Sequence, residues 1–268
     1  MTVGWLLASL AAVASTSESL LELPQGTTQG ALVIGRVATP EATVMLGERT
    51  LRISADGVFL FGLGRDDTGP VEVTAILHDG RRETRRLDVV SRQWQIQRID
   101  GLPPQTVSPD PEVAARIARE QARVAEARRR DDARMDFRFG FVRPVEDGRI
   151  SGVYGSQRIL NGQPRAPHYG LDIAAPTGTP IHAPAAGIVS FADPDLFLTG
   201  GTVLIDHGHG LTSSFLHMSA IDVEVGQRVE QGTRIGAVGA TGRATGPHLH
   251  WGLNWFEVRL DPGLLLQD

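Results

Sequence analysis

The sequence predicts a mostly β chain, with two β regions joined by a charged helix. Three observations carry this expectation. Short runs rich in β-branched and aromatic residues recur from about residue 22 to 98, separated by turn sequences such as Ala55–Gly57 and His78–Gly80. A single stretch, from Pro111 to about Ala133, places Val113, Ile117, Val124 and Ala127 at helical spacing. Beyond Phe137 the helix signals almost vanish, while Gly, Pro, His and β-branched residues rise.

Taken in order, residues 1–21 form a signal-like segment. Val3 to Ala14 is apolar, and Ala12-Val13-Ala14 fits a small-residue cleavage site, although no Arg precedes the run. The run is too short to span a membrane, which needs roughly 20 residues. Residues 22–98 read as a small β-sandwich, with strands expected around Gly30–Val37, Thr43–Leu46, Thr50–Ser54, Val58–Phe61, Val71–Ile76 and Arg86–Val90. Residues 99–136 read as a proline-containing linker and the charged helix. Asp110 is its expected N-cap, Pro111 its first residue and Glu112 an acid in its first turn. A solvated linker is the plain reading of this helix; the alternative is a regulatory helix that docks on a partner or covers the groove of the next domain. Residues 137–268 read as an all-β domain, with strands expected near Gly170–Ile173, Gly187–Phe191, Thr202–Asp206, Thr212–His217, Arg234–Val238 and His248–Trp251.

Composition removes several chemistries. The chain has 268 residues, of which 41% are hydrophobic, enough for a buried core. Its net charge of -5 argues against a nucleic-acid partner, which favours a basic face. Cysteine is absent, so disulfides, thiolate metal sites and a cysteine nucleophile are excluded. Any metal site must use His, Asp or Glu.

Seven of the eight histidines fall beyond residue 137. Three pieces there carry chemistry: His168-Tyr-Gly-Leu-Asp172, His217 within Phe215-Leu-His-Met218, and His248-Leu-His250. Two imidazoles and one carboxylate make a standard zinc site with an open fourth position. Water placed there becomes acidic enough to attack a polarised carbonyl. The two remaining imidazoles supply what a hydrolase needs as a general base and an oxyanion stabiliser. On a strand His248 and His250 point to the same face, and spacing alone does not choose which of them would hold a metal. Tyr154, Arg158 and Asn161 precede the first motif and are expected to line a substrate groove. His207, His209 and His182 are expected to be turn or packing residues.

From about Gly148 to Pro262 the chain resembles the lysostaphin/LytM-type zinc metallopeptidases, the M23 family of cell-wall endopeptidases. The resemblance rests on Gly148–Gly155, His168–Pro176, Gly201–Gly208, Phe215–Ser219 and Gly246–His250, in that order. It implies a zinc peptidase domain at 137–268 with one Zn2+ held by His168, Asp172 and His250. It implies His217 and His248 as the catalytic pair. It further implies hydrolysis of peptidoglycan cross-links, D-alanyl–diaminopimelate bonds above all, by a zinc-activated water. The setting would be periplasmic or otherwise exported, with no transmembrane span in the mature chain. The tyrosine the family commonly carries two residues before the third-motif histidine is replaced by Phe215. A non-enzymatic reading stands beside this one, since some relatives activate cell-wall amidases through a helical segment, so a regulatory protein could bind the linker helix or the sandwich. A lipoyl- or biotinyl-type carrier is set aside, because Val223–Gly236 looks like that hairpin but the chain has no lysine to modify.

Overall fold

The structure is a computed structural model that describes residues 19–100 and 110–266. Most of the signal-like segment, and the Gly101–Pro104 break before the helix, lie outside the described residues. The chain is mostly β, with one α-helix among the described residues.

The N-terminal region contains two antiparallel sheets. One has three strands, Leu21–Glu22, Leu32–Val37 and Val58–Gly62; the other has four, Arg49–Leu51, Thr43–Leu46, Val71–Ile76 and Arg82–Leu87. Alternation decides which side chains go inside: Val33, Val37, Val44, Val73 and Ala75 are buried while their chain neighbours face outward. Phe59 and Phe61 are completely buried within the same core. This region is fastened to the rest of the chain. Gly62 is so close to Leu260 and Trp255 that a Cβ there would lie 2.7 Å from the Leu260 side chain. The Arg49 guanidinium stacks 4.3 Å over the Trp255 ring, and Arg92 pairs with Asp261 at 2.8 Å.

The large sheet follows the order Arg149–Gly152, Leu171–Ala174, His248–Trp255, Leu211–Met218, Gly200–Asp206, Gly187–Leu196, Arg228–Val229, with Val258–Leu260 pairing onto His248–Trp255. Its ladders are antiparallel. Every residue of Gly200–Asp206 is buried. A strand buried on both faces needs cover on both, and the helix supplies part of it. Val124 and Ala127 pack on a small cluster of Phe191, Leu196 and Leu204.

The helix runs Pro111–Ala127, capped by Asp110, whose side chain accepts from the Glu112 N–H at 2.8 Å. It has no fully buried residue. Arg116 reaches the exposed Asp195, a pair that contributes little on its own, and Arg123 reaches the half-buried Asp193. The firmer polar tie is Glu120, whose carboxylate accepts from the Phe197 N–H at 2.8 Å.

The helix stops at Ala127, earlier than the expected end near Ala133. The reason lies in what the following residues meet. Arg130 and Arg134 both bond Asp206, whose side chain is fully buried, and Asp132 O accepts from the His209 N–H. Continuing the helix would carry these groups away from Asp206 and leave a buried carboxylate unpaired, a penalty of about 3–5 kcal/mol. Tertiary pairing therefore overrides the local helical pattern.

A second departure concerns the rim of the site. Ile96–Ile99 pairs in parallel with Gln157–Leu160, which turns back through Asn161 and Gly162 onto Gln163–Pro164. Asn161 and Gly162 both have positive φ, 48° and 77°, as a tight hairpin requires. Nothing in the local pattern of Gln95–Ile99 announces a partner so distant in sequence.

Candidate metal centre

Strand register builds the site. Asp172 lies directly opposite His250 across the antiparallel ladder, and Ala174 lies opposite His248. Opposed residues have Cβ atoms about 4.5–5.5 Å apart, so the Asp172 carboxylate and the His250 imidazole share a face at close range. His168 enters from the turn just before Leu171–Ala174, with its backbone N–H bonded to Ser156 O and its carbonyl accepting from Gly155.

Three side chains converge. His168 Nε2 and His250 Nδ1 stand 2.9 and 2.8 Å from Asp172 Oδ1, and 3.0 Å from each other. These atoms lie within 4.8 Å of one another, a spacing that a single metal ion can bridge. Two imidazoles and a carboxylate suit a divalent cation of the zinc type. His168 Nδ1 donates to Val153 O at 3.0 Å, which fixes the tautomer and turns Nε2 toward the centre. His248 stands outside this trio, its Nε2 3.9 Å from Asp172 Oδ1.

The three groups perturb one another. Burial works against the ionised Asp172 carboxyl, but hydrogen bonds from His168 and His250 hold it well below the usual carboxylate range. Burial also works against a charged His168, yet the bond and charge of Asp172 raise it. Burial lowers His250, keeping that imidazole neutral.

A second pair of imidazoles lies alongside. The His217 and His248 rings are 4.8 Å apart, and His217 is 6.5 Å from the His250 ring. His217 sits next to Leu216, which is opposite His250. Regular strand alternation would turn the His217 side chain to the far face. Its φ of 65° breaks the alternation and returns the ring to the site. A non-glycine residue in this region is strained, and such strain clusters at functional positions. The distortion is held by the His217 N–H bonding Thr199 O at 2.8 Å and by Nδ1 donating to Thr241 O at 2.8 Å. His248 Nδ1 is likewise tied to Gly246 O at 2.8 Å. Both rings thus leave Nε2 available. Burial lowers the His217 pKa, so it is a neutral proton acceptor near neutral pH.

The four histidines and Asp172 open into one groove of about 1870 Å3. Its walls include the helix through Val113 and Ile117, the rim sheet through Ile96, Gln97 and Arg158, the strand residues Ile150–Val153, and the loop 243–247. Of the three expected groove residues, Arg158 lines it. Tyr154 is 2% exposed, and its hydroxyl donates to Arg259 O at 2.8 Å. Asn161 forms the hairpin turn described above. His207 is a core residue, bonded to Ala186 O and Ser213 Oγ, and His209 is buried in the adjoining turn. Sequence reasoning missed the carbonyls of Val153, Thr241 and Gly246. No local signal marks a backbone acceptor.

Two glycines leave room for the ligands. A Cβ on Gly170 would come 2.6 Å from His250 Nε2 and 2.7 Å from Trp251 O, and a Cβ on Gly152 would come 2.3 Å from Asp172 Oδ2. At Gly170 the second contact is backbone and cannot rotate away. Gly170→Ala is therefore expected to displace the His250 ring and weaken metal binding about 10–100-fold, the scale of losing a group that orients a ligand. Metal titration of the variant beside the parent measures this; unchanged affinity would show that the ring tolerates the contact.

Fold and site together define a β-sheet metallohydrolase with a two-His, one-carboxylate centre and a flanking imidazole pair. The chain belongs to peptidase family M23. The family model described as "Peptidase family M23" matches residues 166–262. A solved structure from Pseudomonas aeruginosa, described as an M23 peptidase, is 33% identical, covers 89% of this chain and is itself covered to 94%, with a TM-score of 0.68. The Peptidoglycan DD-endopeptidase ShyA of Vibrio cholerae is 42% identical over 106 residues, 39% of this chain and 24% of that protein. The DD-carboxypeptidase/endopeptidase Mpg of Neisseria meningitidis is 38% identical over 110 residues, 41% of this chain and 25% of that protein. The match to these two thus spans about a quarter of their length. No helix among the described residues is long and apolar enough to cross a membrane.

Proposed function

We propose that this chain is a zinc-dependent endopeptidase that cuts peptide cross-links of peptidoglycan, at D-alanyl–diaminopimelate bonds, outside the cytoplasm. The observation that carries this reading is the pairing of a convergent His168, Asp172 and His250 with a separate His217 and His248 in the same groove. A pure binding module needs no imidazole pair, one member of which, His217, is held in a strained backbone. The names of the two peptidoglycan relatives support the substrate class.

In this reading His168, Asp172 and His250 hold one zinc ion. Zinc would supply Lewis acidity, lowering the pKa of water and polarising the scissile carbonyl. The remaining work belongs to the chain. His217, neutral and anchored by Thr241 O, accepts a proton at Nε2. His248, whose Nδ1–H donates to Gly246 O, stabilises the developing oxyanion when its Nε2 carries a proton as well. The carbonyl anchors fix both rings, so little orientational freedom is lost when the peptide reacts.

The test is digestion of purified cross-linked muropeptide dimers by the zinc-loaded full chain, read by mass spectrometry. The expected products are the two monomers released at the D-alanyl–diaminopimelate amide. Dimers left intact under varied buffer and salt conditions would count against the proposal.

A further inference from the structure

The groove carries a charge pattern that the metal centre does not use. Arg158, Arg165 and Arg243 all line it, all are exposed, and the one carboxylate among the lining residues is Asp172, already committed to the histidines. Among the described residues none of the three arginines forms an ion pair with an acid; Arg158 Nε donates instead to the neutral Gln97 at 3.3 Å. The contrast with the helix and the segment after it is direct. There Arg116, Arg123, Arg130 and Arg134 each meet an aspartate or glutamate.

The placement of Arg158 and Arg165 sharpens this. In the hairpin Gln157–Leu160 and Gln163–Pro164, Ile159 is opposite Pro164 and Leu160 opposite Gln163. The next position along the hairpin brings Arg158 opposite Arg165, whose N–H bonds Arg158 O at 2.8 Å. Like charges directly opposed across an antiparallel pair destabilise it. No folding argument asks for two cations there. Arg243 comes from a different segment, two residues after Thr241, the residue that anchors His217, and five before His248. Net charge across the chain is -5, so a cationic lining is not a by-product of composition.

We propose that Arg158, Arg165 and Arg243 are specificity residues that select peptides bearing free carboxylates beside the bond to be cut. Guanidinium groups recognise carboxylates through charge-assisted, often paired hydrogen bonds. This rests on the endopeptidase reading and deepens it. The diaminopimelate side of a D-alanyl–diaminopimelate cross-link keeps a free carboxylate next to the scissile amide. A glycyl bridge has none. Val113 and Ile117, on the helix wall, offer the same groove an apolar surface for the alkyl portion of such a residue.

The experiment compares two synthetic cross-linked peptides, one with free diaminopimelate carboxylates and one amidated there. Binding to zinc-loaded full-length His217→Ala protein is measured by titration calorimetry, and turnover is measured with the parent chain. Binding is thereby read whether or not the peptide is cut. The free-acid peptide is expected to bind at least about tenfold tighter, on the scale of one charge-assisted bond, and the gap should narrow as salt is raised. Adding Arg158→Gln, Arg165→Gln and Arg243→Gln together should close the gap without loss of zinc, while Arg243→Lys alone should keep part of it. Equal binding of the two peptides, or a gap that survives the triple replacement, would overturn the assignment. If the parent cuts both peptides equally well, carboxylate selection fails and the endopeptidase reading stands. If the parent cuts neither while the binding gap persists, recognition stands and hydrolysis fails.

Discussion

A His250→Ala chain should fold, lose its metal and lose all hydrolysis together. His250 Nδ1 stands within hydrogen-bond distance of both other candidate ligands. His248 cannot substitute, because it faces Ala174 and its Nε2 lies 3.9 Å from Asp172. Removing a group that merely orients a ligand weakens metal binding 10–100-fold, so removing a ligand should exceed about a hundredfold. Zinc content after dialysis against a weak chelator measures the loss. The same experiment on Asp172→Ala should give the same result. A His250→Ala protein that retains stoichiometric zinc would remove this residue from the centre.

His217→Ala and His248→Ala should behave differently. Each is expected to keep zinc and to lose turnover by about 10²–10⁴-fold, the range for deleting a general base or an oxyanion donor. The effects should not add, because the rings are 4.8 Å apart and act on one reacting centre. Steady-state kinetics on a muropeptide dimer, beside metal analysis, checks both statements. If His248→Ala is zinc-free, the division of labour between the two histidines of His248-Leu-His250 is wrong. If His217→Ala complements a deletion strain fully, a regulatory role gains ground over the catalytic one.

The site was legible in the sequence to an uneven degree. His168, Asp172, His217, His248 and His250 stood out because cysteine is absent and the histidines crowd into one region. Spacing could not separate His248 from His250, since both point to one face of a strand. Register places His250, and not His248, opposite Asp172, and register is a property of the Leu171–Ala174 pairing, not of either segment alone. The return of His217 to the groove was hidden for a different reason. It depends on a positive φ that side-chain identity does not announce and that carbonyls distant in sequence hold in place.

The fold shows the same division. Alternation and turn residues marked most strands, and Asp110-Pro111-Glu112 marked the helix start. The helix end was misplaced because Arg130 and Arg134 find their partner on Asp206, some seventy residues away. The groove walls were legible only in part: the sequence offered Arg158 and, as one alternative, the helix, but not the strand Ile96–Ile99. They depend on Ile96–Ile99 adding in parallel to Gln157–Leu160 and on Val113 and Ile117 reaching across from the helix. Tyr154 was expected in the groove from its place ahead of His168. Its aromatic bulk instead fills a buried seam against Trp94, with ring centroids 5.7 Å apart.

The central claim is that one metal ion, held by His168, Asp172 and His250, makes this groove a peptidase. Its most direct test is a zinc back-titration. The full chain is stripped with chelator, zinc is returned in steps, and cleavage of a cross-linked muropeptide dimer is followed by mass spectrometry. Cleavage should vanish on stripping and return in full at one zinc per chain. Undiminished cleavage by the stripped protein, or an intact dimer after zinc is restored, would contradict the account.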